Sequence, residues 1–223
     1  MAELVITIDG PAGSGKSTAA KLLAQRLGAS FLDTGAMYRT VTIAAMKAGA
    51  DMEDEEQLFD VLNNSQFRFD IKKDRMHCFV DGENVTELIR LPQVTDNSRY
   101  IASSQILRKE LVKMQRQIAA GQEKIVTEGR DQGTVAFPDA NVKIFLTAEL
   151  RQRAKRRLAE LKEKGIDLSI EELEQAIKDR DNSDINRDTG PLVPADDAVV
   201  VDTTDLSIDQ MVEKLVDIVK EKC

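Results

Sequence analysis

Lys16 closes a run of small residues, GPAGSGKST (10–18), in which glycines and one ammonium group are gathered where an apolar stretch stops. The run satisfies G-x-x-x-x-G-K-[ST] in full. It follows the strand-like LVITID (4–9) and precedes the helical-period AAKLLAQRL, which is the context a phosphate loop requires. Glycines at 10, 13 and 15 let the backbone curl so that successive N–H groups face inward, and the dipole of the following helix adds to that field. Gly10, Pro11, Ala12, Gly13, Ser14, Gly15, Lys16, Ser17 and Thr18 are therefore expected to cradle a nucleoside triphosphate. Lys16 would reach the β- and γ-phosphates, and the Ser17 hydroxyl would ligate Mg²⁺.

A second set of charged residues lies further along. LDTGAMYR (32–39) places Thr34 and Arg39 just past one apolar run, and GRDQGT (129–134) places Arg130 and Asp131 just past another. RDNSDINR (180–187) adds Arg180, Asp184 and Arg187. Guanidinium groups match phosphate oxygens bidentately, so these arginines point to an acceptor that carries its own phosphate. Neither a D-x-x-G switch nor an N-K-x-D guanine-reading motif is present, which argues against a GTPase. A small-molecule kinase is the broad reading. Arg151, Arg153, Arg156 and Arg157 sit in a charged helix and are expected to form mainly a solvated face, with Arg157 the one assigned to ATP. Gly129 and Gly133 are read as flanking a tight backbone turn, and His77 as structural.

The elements that must position these groups alternate regularly. LVITID (4–9), SFLDT (30–34), KIVTE (124–128), VKIFLT (142–147) and AVVVDT (198–203) read as strands buried on both faces. Helical stretches between them predict an α/β fold: a five-stranded parallel sheet of the phosphate-loop NTPase type, flanked by helices. Gly28 is the expected C-cap of the first helix, and Ser207 with Gln210 forms a capping box opening a last helix to about Lys222. QFRFDIKKDRMHCFVD (66–81) reads as a hairpin that, with ENVTELI, makes a small inserted antiparallel subdomain at about 61–101. Residues 151–190 read as a short lid: two helices, the second with a Ser169/Glu172 capping box, and then a polar loop DNSDINRDTGPLVP. The core would be 1–60, 102–150 and 191–223 of one kinase chain. In such sheets ligands collect at the carboxyl ends of the strands, where Arg39 and Arg130 could share one site.

Bulk properties narrow the partners. The net charge of −8 argues against nucleic acid, since no excess of cations is available to displace counterions. No stretch approaches a membrane span, and no signal-like segment opens the chain. Cys78 and Cys223 make neither a disulfide framework nor a metal pattern, so a reducing cytoplasm is expected. No heptad seam demands an oligomer, and a monomer is expected.

GPAGSGKST, LDTGAMYR, EGRDQGTVAFPDANVKIFL and NRDTGPLVPADDA, in that order, resemble the bacterial cytidylate kinases. The resemblance covers essentially the whole chain, including the hairpin-bearing insert. It implies transfer of the ATP γ-phosphoryl group to CMP or dCMP with Mg²⁺, the insert holding the monophosphate. It places the CMP phosphate against Arg39, Arg130 and Arg187, and the ribose against Arg180 and Asp184. Thr34 would stand near the acceptor, and Arg108 and Asp131 would contact the cytosine; Lys16, Arg130 and Arg187 would carry catalysis. One departure stands out: a serine that often assists base recognition falls at Arg99, beside Ser98. Either Ser98 substitutes, or base reading relies on Arg108 and Asp131. A kinase for UMP or AMP, or a nucleotide-dependent regulatory protein, are the alternative readings.

Overall fold

A computed structural model describes residues 2–71, 76–162, 165 and 168–223. Its described strands are β1 (Leu4–Asp9), β2 (Ser30–Asp33), β3 (Phe67–Ile71), β4 (Met76–Val80), β5 (Glu83–Asn84), β6 (Lys124–Gly129), β7 (Val142–Thr147) and β8 (Val199–Asp202). The helices are α1 (Lys16–Leu27), α2 (Thr34–Ala48), α3 (Glu55–Asn64), α4 (Pro92–Ser103), α5 (Gln105–Ala120), α6 (Leu150–Lys162), α7 (Ile170–Ile185) and α8 (Ile208–Lys222). A 3₁₀ turn covers Leu88–Arg90, and a π-turn covers Gln132–Ala136.

The five apolar runs pair as one parallel sheet in the order β2-β6-β1-β7-β8. β1 is central, with Ile6 opposite Val126 on one side and Val142 on the other. Covering the sheet needs apolar helix faces on both sides, and both are supplied. Ile6, Ile8, Leu23, Phe31, Ile144 and Leu215 form one core beneath α1 and α8. Leu32, Met37, Val41, Ile101, Leu111 and Ile125 form the other, beneath α2, α4 and α5. Met76, Cys78 and Val80 of the antiparallel sheet β3-β4-β5 join that second core, so the small sheet packs against α2 rather than standing alone. A third, separate cluster of Ala154, Leu161, Leu173 and Ile177 binds α6 to α7.

The caps follow the sequence. Gly28 ends α1 in the left-handed region, and both capping boxes, Ser169/Glu172 and Ser207/Gln210, are formed. The two arms of the hairpin pair antiparallel from Phe67↔Val80 to Ile71↔Met76. Its connecting residues 72–75 lie outside the described residues, as do 163–164 near the end of the charged helix.

Several expectations are corrected. β7 alternates buried and half-buried side chains, and the edge strand β8 leaves Val200 56% exposed, so not every strand is covered on both faces. Within ENVTELI only Glu83–Asn84 is strand, and the chain then turns through Leu88–Arg90. DNSDI is not loop: α7 continues through it to Ile185. Polar residues favour caps and turns, but here Asp181 and Asp184 are tied to arginines of other elements, which overrides local preference.

Candidate active site

The carboxyl ends of β1, β2 and β6 position the site. β1 runs into the phosphate loop, whose residue Gly15 caps α1 with φ +87°, a conformation that glycine adopts without strain. Ordering α1 from Lys16 onward points its first N–H groups at the loop. Lys16 is buried at 7% exposure, and its Nζ donates to the Pro11 carbonyl at 3.1 Å. Burial and the nearby Arg130 charge lower its pKa, with Glu128 opposing them. An ammonium in that setting gains from an arriving phosphate, since the anion restores the solvation it has lost.

The penultimate residue of β6 is Glu128, buried beside Ser17 and Thr34. The Ser17 hydroxyl donates to Glu128 Oε1 at 2.9 Å, and Thr34 Oγ1 donates to the Glu128 carbonyl at 2.7 Å. Burial, and then the charge of Asp33, raises the pKa of Glu128. Asp33 ends β2, caps α2 by accepting from Ala36 N at 2.8 Å, and pairs with Arg39 at 3.5 Å. Glu128 was read from sequence only as a strand end; a carboxylate closing a fully buried apolar strand was the signal.

Beyond β6 the arginines converge. Arg130 Nε donates to Asp184 Oδ2 at 2.7 Å, and Arg187 stands 3.5 Å from Asp184 Oδ1. Burial opposes ionisation of Asp184, yet Arg130, Arg187 and Arg180 together hold its carboxyl below the usual range. Burial lowers the pKa of Arg180, and the charges of Arg130, Arg39 and Arg157 lower it further. Burial, and then the charge of Arg108, does the same to Arg187. Arg39 Nε and Arg187 Nη2 are buried donors without a partner. Unpaired buried donors are costly, so a cluster of cations holding two of them is built for an anion.

Arg108, from α5, and Asp131 form a buried ion pair, at 3% and 4% exposure. Arg108 Nη1 also donates to the Ala102 carbonyl at 3.0 Å, and its guanidinium lies 5.5 Å from the Tyr38 ring centroid. The pair is held close under Gly190, where a Cβ would collide with both side chains. Ser98 Oγ donates to the Thr95 carbonyl, and Arg99 turns to Tyr100.

Arg39, Arg130, Asp131, Arg180, Asp184 and Arg187 thus meet beside Lys16. Thr34 meets them through Glu128, while Thr18 faces outward. Arg157 pairs with Glu160 at 2.8 Å, and no hydrogen bond or ion pair joins it to the loop among the described residues. The expectation of a solvated α6 face fails at two positions. Arg153 is 7% exposed, its Nη1 donating to Ala12 O at 3.1 Å and to Asp181 Oδ2 at 2.6 Å. Arg156 reaches Ser14 O at 3.4 Å and the Thr203 carbonyl at 2.5 Å. Helical spacing alone cannot reveal such long-range partners. Gly129 and Gly133 flank the start of a turn, as expected, though neither has positive φ. They are needed because a Cβ would lie 2.9 Å from Thr34 Oγ1 and 3.0 Å from Thr7 Oγ1.

The cytidylate kinase family model matches residues 6–221. Cytidylate kinases of Bacillus cereus (strain ATCC 10987 / NRS 248) and Bacillus thuringiensis (strain Al Hakam) are each 44% identical over 216 residues, covering 96% of this chain and 95% of the relative. A crystal structure from Thermus thermophilus shares the fold with a TM-score of 0.52 at 17% identity, covering 100% of both chains. The match of the family model over residues 6–221 and the 44% identity to these relatives over 96% of the chain place the chain in the cytidylate kinase family.

Proposed function

We propose that this protein transfers the γ-phosphoryl group of ATP to CMP or dCMP, giving ADP and CDP or dCDP. The observation that carries the reading is the arginine cluster beside Lys16, with the unpartnered buried donors of Arg39 and Arg187. A protein that only binds a triphosphate needs no second anion site next to the first.

The CMP phosphate supplies its own nucleophilic oxygen, so the protein has to align two phosphates and neutralise charge. Arg39, Arg130 and Arg187 grip the acceptor phosphate, and Asp184 fixes the angle between Arg130 and Arg187. Lys16, Arg130 and Arg187 stabilise the charge on the transferring group. Asp184 and Arg180 hold the ribose, and Thr34 bounds the acceptor site. Arg108 fixes Oδ2 of Asp131, leaving Oδ1 to accept from the exocyclic amine of cytosine. Uracil presents a carbonyl oxygen there and is repelled.

Mg²⁺ fits the residues present. Among the described residues no cluster of three His, Cys, Asp or Glu could hold a metal alone, and Mg²⁺ characteristically needs only one or two protein oxygens besides phosphates and water. The Ser17 hydroxyl, backed by Glu128, supplies hard oxygen in the right place. When bound, Mg²⁺ contributes charge neutralisation at the phosphates.

Residues 151–190 act as a lid and the 61–101 segment as the monophosphate-binding part, about a core of 1–60, 102–150 and 191–223. Arg157 would turn to ATP on closure. The protein acts on free nucleotides in the cytoplasm, as a monomer, without nucleic acid or membrane. No described helix is long and apolar enough to cross a membrane. A coupled assay across CMP, dCMP, UMP and AMP tests the reading. CMP and dCMP should exceed the others by at least ~10²-fold in kcat/KM, in line with discrimination by a buried polar group. Equal rates on UMP or AMP would reject it.

A further inference from the structure

Arg130 and Asp131 do not sit on a regular element. They lie between the end of β6 and the π-turn Gln132–Ala136, and that turn starts from Asp131 itself. The Asp131 carbonyl accepts from Val135 N at 2.9 Å and Ala136 N at 3.1 Å, and Gln132 O accepts from Phe137 N at 2.7 Å. An isolated turn of this kind has poor hydrogen-bond geometry and holds its shape only through outside contacts.

Those contacts come at both ends. At the amino end, the Asp9 carboxylate takes two backbone N–H groups, Gln132 N on Oδ1 at 2.9 Å and Gly133 N on Oδ2 at 2.8 Å. At the carboxyl end, Arg116 of α5 donates from Nε to Ala136 O at 2.8 Å and from Nη2 to Val135 O at 3.0 Å. Each charge faces the turn end whose unsatisfied groups it complements. Between them the Gln132 side chain is buried, accepting from Thr127 Oγ1 at 2.8 Å. Asp9 is 5% exposed, and among the described residues its carboxylate makes no hydrogen bonds besides these two, which is an expensive place for a carboxylate unless it has this task.

We propose that Asp9 and Arg116 are positioning residues, clamping the two ends of the π-turn and so setting the aim of Arg130 and Asp131 at the acceptor nucleotide. The proposal rests on the reading that Arg130 and Asp131 grip that nucleotide. Neither clamp residue touches substrate; both act through the turn. Asp9→Asn keeps the size but presents one amide where two acceptors are needed, and Arg116→Met keeps the aliphatic stem.

Both variants should raise KM for CMP ~10-fold or more while KM for ATP stays within about twofold, since misplacement by 1 Å can cost 10²-fold. Each should also lower the CMP/UMP ratio of kcat/KM. Combined with Arg130→Met, either variant should cost less than the product of the single effects, because both damage the same contact. Arg116 is exposed, so its variant folds even if Asp9→Asn does not. The proposal is overturned if Arg116→Met leaves KM for CMP unchanged, if ATP and CMP suffer equally, or if the double variants multiply. Arg130→Met alone separates the two levels. If it raises KM for CMP while the clamp variants do not, only the clamp fails. If it does nothing, the acceptor reading and the clamp fall together.

Discussion

Asp9 gives one residue-scale prediction that needs no substrate. Burial, opposed by the Gly133 and Gln132 N–H groups and adjusted by the charges of Asp131 and Arg130, raises its pKa to about 7 from 3.8. Between those values the folded chain binds a proton that the unfolded chain releases. Asp9 therefore stabilises the fold most at low pH, and that contribution is lost as pH rises through 7, at up to ~1.4 kcal/mol per pH unit. Urea unfolding of the empty protein at pH 5 and pH 7 should show this slope in the wild type and a flatter one in Asp9→Asn. Identical slopes would refute the assignment. Lys16→Ala should cost at least ~10³ in kcat with an unchanged circular dichroism spectrum, because charge stabilisation at the transferring group goes with the ammonium. Retained turnover would count against its role. Asp131→Asn should narrow the CMP/UMP preference, since an amide can both donate and accept where the carboxylate only accepts. An unchanged ratio of kcat/KM values removes Asp131 as the base reader.

At the scale of elements, Arg153 ties the phosphate loop to α7, the helix that carries Asp184 of the proposed acceptor site. Arg153→Met leaves the Ala12 and Ala148 carbonyls and the Asp181 carboxylate without this partner. Removing one member of such a buried pair should cost ~3–5 kcal/mol, read as a lower urea midpoint, and should raise KM for ATP. A change below ~1 kcal/mol would show that the tie is dispensable. The sheet was legible because β1 and β6 are covered on both faces and read as unbroken apolar runs. The capping boxes were legible because both partners lie within four residues. The end of α7 was not, because what holds Asp181 and Asp184 helical is arginines 28 and 54 positions away. The π-turn escaped notice for a related reason: GRDQGT carries turn-like residues, and the groups that fix it, Asp9 and Arg116, are remote. Asp9 was visible only as the last letter of an apolar strand. Arg39 and Arg130 stood out as candidate phosphate ligands by type and by their place after strands, and Arg187 by type within the 180–187 segment, whereas the pairing of Arg108 with Asp131 needed coordinates.

For the whole molecule, the division of apolar clusters bears on how the site opens. The two large cores weld α1–α5 and α8 to the sheet, whereas among the described residues α6 and α7 share a cluster of only four buried apolar side chains of their own. Local opening follows such boundaries, because a unit with little shared core can detach without exposing the rest. Amide hydrogens of α7 should therefore exchange with deuterium well ahead of those in β1 and β6. Saturating ATP with CMP should slow α7 selectively, by bridging it to the sheet through Arg180, Asp184 and Arg187. Uniform protection across both regions would mean that the helical pair moves only when the entire chain melts. Under the proposed lid role the third cluster would set a clock: product could leave no faster than this small pair of helices lets go.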